Sequence, residues 1–91
     1  MDNAEINQEL NKHLKNTSPI DYCGSIDLCF EKTRKFNVIE KKNFIEHLVR
    51  IVYRNHGRAE SAFFATAEEW AEALLCLLKK VDPYTLNNKK K

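Results

Sequence analysis

Apolar residues recur three or four positions apart along most of the chain, and four stretches carry this spacing far enough to define helices. The strongest is residues 67–81, where Ala67, Trp70, Ala71, Leu74, Leu77, Leu78 and Val81 fall at helical spacing. Its section 73–78 is apolar nearly all round, so this helix needs neighbours on several sides and is expected at the centre of the fold. Residues 38–55 carry a wide apolar face of Phe44, Ile45, Leu48, Val49, Ile51 and Val52. Residues 19–35 repeat Tyr22, Ile26, Cys29, Phe30 and Thr33. Residues 3–15 show only Ile6, Leu10 and Leu14, a narrow stripe that suits a peripheral helix.

Start and stop signals agree with these boundaries. Four pairs have the form of a capping box, in which an oxygen-bearing residue and an acidic residue three positions on satisfy otherwise orphaned backbone donors. They are Asp2 with Glu5, Ser18 with Asp21, Asn37 with Glu40, and Thr66 with Glu69. Pro19 strengthens the second, because a missing N–H costs nothing at the first helical position. Gly57 suits the end of the third helix, and Asp82-Pro83 stops the fourth. Gly24, inside the second, weakens it by about 1 kcal/mol against alanine.

The fold expected is therefore all-α. It is a small single-domain bundle of four main helices over residues 1–85, with a disordered basic tail at 86–91. Phe63 and Phe64 stand side by side in the third connection. The plain account is a short extra helix at 59–64 that folds both rings inward; the sharper one leaves a ring exposed as a binding anchor.

Composition narrows the class without naming an activity. At 91 residues with 43% hydrophobic and 31% charged positions, the chain has the make-up of one globular domain. No apolar run is long enough to cross a membrane, and the first 20 residues, with Asp2, Glu5 and Glu9, do not read as a secretory signal. Three cysteines without a CxxC pair place the chain in a reducing cytoplasm as core thiols. A zinc set drawn from Cys23, Cys29, His47 and His56 has none of the usual ligand spacings.

Catalytic motifs do not emerge either. Gly24 and Gly57 stand alone, which leaves no glycine-rich phosphate loop, and nothing in the sequence brings a histidine to a thiol or hydroxyl. Residues 43–47 read Asn-x-x-Glu-His, one ligand short of a zinc-protease helix. Glu46 is more simply the helical partner of Arg50. The expectation is a non-enzyme with no cofactor and no metal.

Charge distribution carries the most information. Residues 1–28 and 59–88 each have a net charge of −3, whereas residues 29–58 hold +5. One reading of this segregation is a solvated face, with Glu31–Lys35, Lys42–Glu46 and Glu46–Arg50 paired along the helices. A second is a surface for an acidic protein or the acidic segments of a second copy of the chain. Arg50, Tyr53, Arg54 and Arg58 could form one ridge for it, with Lys41 and Lys42 beside them. A third is phosphate contact by the basic segment 32–58, the nucleic-acid alternative, which lacks a recognition motif. The functional expectation is a non-catalytic cytoplasmic protein–protein interaction module, such as a regulator, inhibitor, immunity- or antitoxin-like partner or accessory subunit. Arg50 and Arg54 are expected on its outside.

Overall fold

A computed structural model of the chain describes residues 2–58 and 64–83. It is an all-α bundle: α1 (Asn3–His13), α2 (Ile26–Thr33), α3 (Val38–His56) and α4 (Ala67–Lys79), with a 3₁₀ turn at Tyr22–Gly24 before α2. Among the described residues there is no strand. Residues 59–63 of the expected extra helix, with the ring of Phe63, and the tail 86–91 fall outside the described residues; Phe64 is described and is 85% exposed, so the expectation that both rings fold inward fails at Phe64.

α4 is the centre of the bundle, and α1, α2, α3 and the 3₁₀ turn all pack against it. Ala71, Ala73, Leu74, Leu75 and Cys76 are fully buried. They meet Ile6 and Leu10 of α1, Tyr22 and Cys23 of the turn, Cys29 of α2, and Phe44, Leu48, Ile51 and Val52 of α3 in one core. Trp70 is only partly buried. It lies 5.3 Å from the Phe44 ring and edge-on to the Phe30 ring at 6.3 Å, joining α2 and α3 over the start of α4.

Three of the four capping boxes form with both reciprocal bonds: Asp2 with Glu5, Asn37 with Glu40, and Thr66 with Glu69. α3 ends on Gly57, whose φ of 74° is the left-handed conformation that glycine adopts without a Cβ clash. α4 ends at Lys79, two residues before the expected limit, because Lys80 turns left-handed and the Val81 N–H donates back to the Cys76 carbonyl.

The second helix departs from its expected start. Residues 19–21 are not helical, Ser18 and Asp21 make no capping box, and α2 begins only at Ile26. Asparagines of α1 and, just beyond it, Asn16 take the backbone groups and side chains that such a helix would have used. Asn11 accepts from the Ile20 N–H and donates to the Ile20 carbonyl. Asn7 accepts from the Cys23 N–H and donates to the Asp21 carboxylate. Asn16 donates to Asn11 and to the hydroxyl of the fully buried Tyr22. These side-chain bonds offer residues 16–23 an alternative to helix. Gly24 fits this turn rather than weakening a helix, since a Cβ there would collide with the Asp21 carboxylate.

Candidate functional site

α3 is the longest helix and the one whose surface is most divided. Phe44, Leu48, Ile51 and Val52 are buried against α4, its one extensive packing partner among the described elements. The side that adjoins this face is apolar too. Val38 is 83% exposed, Ile39 70%, Ile45 57% and Tyr53 55%. The wide apolar face expected from the sequence thus contains residues that point to solvent, Ile45 above all.

At about 100° of rotation per residue, Val38, Lys42, Ile45, Val49 and Tyr53 fall within roughly 80° of arc, a seam about 22 Å long. Val49 is half-buried at its middle and Lys42 is exposed within it. Lys41 lies on one flank, while Ile39, Glu46 and Arg50 lie on the other. Among the described residues no carboxylate lies within 4 Å of Lys35, Lys41 or Lys42, and the Lys42–Glu46 pair expected from the sequence does not form.

The predicted ridge divides between two sides of the helix. Arg50 is exposed, and its Nη1 donates to Asp82 Oδ2 at 2.6 Å; the pairing with Glu46 is replaced by one to the chain beyond α4. Arg54 turns inward. Its guanidinium grips the carboxylate of Glu72 in bidentate fashion at 2.9 and 3.0 Å, and its side chain is only 26% exposed. The expectation that both arginines stand outside therefore holds for Arg50 and not for Arg54. The reason is Glu72, a buried carboxylate on α4 that is stabilised by a charged partner. Tyr53 is exposed on the seam, and Arg58 is exposed just past Gly57, outside it. Glu31 pairs with Arg34 at 3.4 Å rather than with Lys35.

The C-terminal turn of α3 is tied to α4 through a second buried carboxylate. Glu69 accepts from the Thr66 N–H at 2.9 Å and from Asn55 Nδ2 at 3.0 Å, and its Oε2 lies 3.0 Å from His56 Nε2. Burial pushes the Glu69 carboxyl up, but the Thr66 backbone bond, the Asn55 bond and the nearby His56 outweigh it and hold the group below its ordinary value. His47, on the same side as Arg54, has a buried Nδ1 with no hydrogen-bond partner among the described residues. Burial, and then the Arg50 charge, lower its pKa, while Asp82 and Glu46 act the other way.

The reactive residue types are in unreactive settings. Burial pushes the Cys23 thiol up to about 11 and those of Cys29 and Cys76 to about 12, so all three are protonated at neutral pH. Among the described residues no three His, Cys, Asp or Glu side chains converge as metal ligands. An open hollow of about 550 Å³ beside α1 is lined by Asn7, Asn11 and Asn16, whose amides are already engaged in holding residues 16–23. A smaller one of about 270 Å³ is walled by Glu68, Glu69 and Glu72, which bond to Asn3, Thr66 and Arg54 respectively.

No helix of the described residues is long and apolar enough to cross a membrane. Comparison with protein-family models, with curated proteins and with solved structures yields no match.

Proposed function

We propose that the chain is a non-catalytic protein-binding module that engages an acidic protein surface through the outer face of α3. The observation that carries this reading is the coincidence on one helix side of large exposed apolar residues and lysines with no carboxylate near them among the described residues. Apolar area supplies the driving force for association, and the surrounding cations set encounter rate and partner choice. Protein interfaces combine an apolar centre with a polar rim in this way. In this reading the protein works in a reducing cytoplasm as a regulator, inhibitor or accessory subunit, and its thiols belong to the core.

The contacting residues are then Lys41, Lys42, Arg50 and Tyr53 together with Val38, Ile39 and Ile45. Arg54 serves by fixing α3 on α4, and Arg58 lies beyond the seam. Phosphate binding is the second reading, favoured by Lys35, Lys41 and Lys42, but the apolar residues between these lysines are poor company for a phosphate backbone.

Capture from a native extract, with the wild-type chain and the Lys41→Glu, Lys42→Glu, Arg50→Glu triple variant, tests the reading. The expected result is an acidic protein that is retained after nuclease treatment and lost with the variant, whose helical circular dichroism is unchanged. Recovery of nucleic acid alone, released between about 50 and 200 mM salt, would replace it with the second reading.

A further inference from the structure

We infer that the outer face of α3 receives an amphipathic helix with acidic flanks, laid along the seam of Val38, Lys42, Ile45, Val49 and Tyr53. This rests on the protein-binding reading above and gives the partner a chemistry.

The seam residues are separated by four, three, four and four positions. The first three steps are the alternation by which one helix keeps a side-chain row facing another, and the last turns Tyr53 toward the Arg50 flank. A partner strand finds nothing equivalent here, because strand addition needs unpaired backbone groups at a sheet edge and a helix has none along its side. The ends and middle of the seam hold its bulkiest exposed apolar groups, Val38, Ile45 and Tyr53. Lys42, inside the seam, has a long aliphatic stem that can lie on the partner while its ammonium reaches an acidic flank.

Charge selects between a foreign helix and a second copy. The seam is nearly symmetric about Ile45, so two copies could align antiparallel with Val38 beside Tyr53 and Lys42 beside Val49. That alignment also brings Arg50 of each copy within one position of Lys42 of the other, with Glu46 the one acidic residue on that flank, within segments that each carry +5. Like charges at such range oppose association, whereas glutamates flanking a foreign apolar stripe would meet Lys41, Lys42 and Arg50.

The probe is a synthetic, end-capped peptide of about three heptads with leucine and isoleucine on its stripe and glutamate on both flanks. A scrambled peptide of the same composition has equal charge and no stripe. Fluorescence anisotropy should give binding of the ordered peptide at least about tenfold tighter than the scramble, with a gain of helical signal. Ile45→Asp, and separately Ile45→Gln, should each weaken it at least about tenfold at unchanged melting temperature.

Equal binding of both peptides, or no binding of either, overturns the helical occupant. So does a dimer of the protein alone that Ile45→Asp dissociates, which would assign the seam to a second copy. Attachment to phosphatidylserine vesicles that depends on Ile45 would assign it instead to a lipid surface. The two readings fail separately. Partner capture lost in the triple charge variant but kept by Ile45→Asp would leave the protein interface standing and remove the helix along the seam.

Discussion

α4 and α3 are both rich in apolar residues and put them to different uses. α4 spends its leucines, alanines and cysteine on the core, with Ala71, Ala73, Leu74, Leu75 and Cys76 all fully buried. α3 buries Phe44, Leu48, Ile51 and Val52 and leaves Val38, Ile39, Ile45 and Tyr53 more than half exposed. Burial of each large apolar side chain is worth about 1.5–3 kcal/mol, so the outer residues of α3 forgo a contribution of that kind in the isolated chain. Single exposed apolar residues need no explanation, but a row of them along one helix marks a surface suited to binding.

The largest effect expected is in α4. Leu74→Ala should cost about 2–5 kcal/mol, because the side chain is fully enclosed and its removal leaves a cavity. A urea titration followed by circular dichroism measures it. A loss below about 1 kcal/mol would mean that the bundle is not organised around α4.

The second expectation compares two arginines of α3 that differ in the burial of their partners. Arg54→Met keeps an unbranched stem and takes from the buried Glu72 its bidentate partner, at a cost of about 1–3 kcal/mol. Arg50→Met breaks an exposed pair with Asp82 and should cost at most about 1 kcal/mol. Equal losses would erase the distinction between the buried and the exposed pair.

Acid should loosen the inner side in two steps. His47 titrates below its ordinary 6.5 in the fold, so the unfolded chain binds more protons, and stability falls as pH drops below 6.5 toward the folded value. Glu69 is held below 4.5, so its contribution is in place above that pH and is lost as pH falls through the lower folded value. Urea midpoints across this range should show both declines. His47→Gln should flatten the first and Glu69→Gln the second.

Much of the fold was legible from local chemistry. The capping boxes at Asp2, Asn37 and Thr66, the glycine at 57 and the apolar run of α4 are short-range signals, and each formed as the spacing predicts. Ser18 with Asp21 failed because its competitors lie on another element. Asn7 and Asn11 reach residues 20–23 only after the chain has folded back, although they stand four apart on one side of α1, a hint that this side is polar for a purpose. The candidate face was half legible. Periodicity located an apolar helix at 38–55, and charge counting located its lysines. Neither could divide the apolar residues between two sides, since that depends on α4 being its single extensive neighbour among the described elements. Arg54 was misplaced for the same reason, because Glu72 is 18 positions away.

The most direct measurement is thermal melting of the quadruple variant Val38→Gln, Ile39→Gln, Ile45→Gln, Tyr53→Gln beside wild type and Leu74→Ala. Glutamine is at least as good a helix former as the residues it replaces and leaves net charge unchanged. If the outer face of α3 takes no part in the fold, the four changes together should stay within about 0.5 kcal/mol of wild type, while Leu74→Ala falls far below both. A quadruple variant as unstable as Leu74→Ala would show that these side chains hold the bundle together, and would contradict their assignment to a partner.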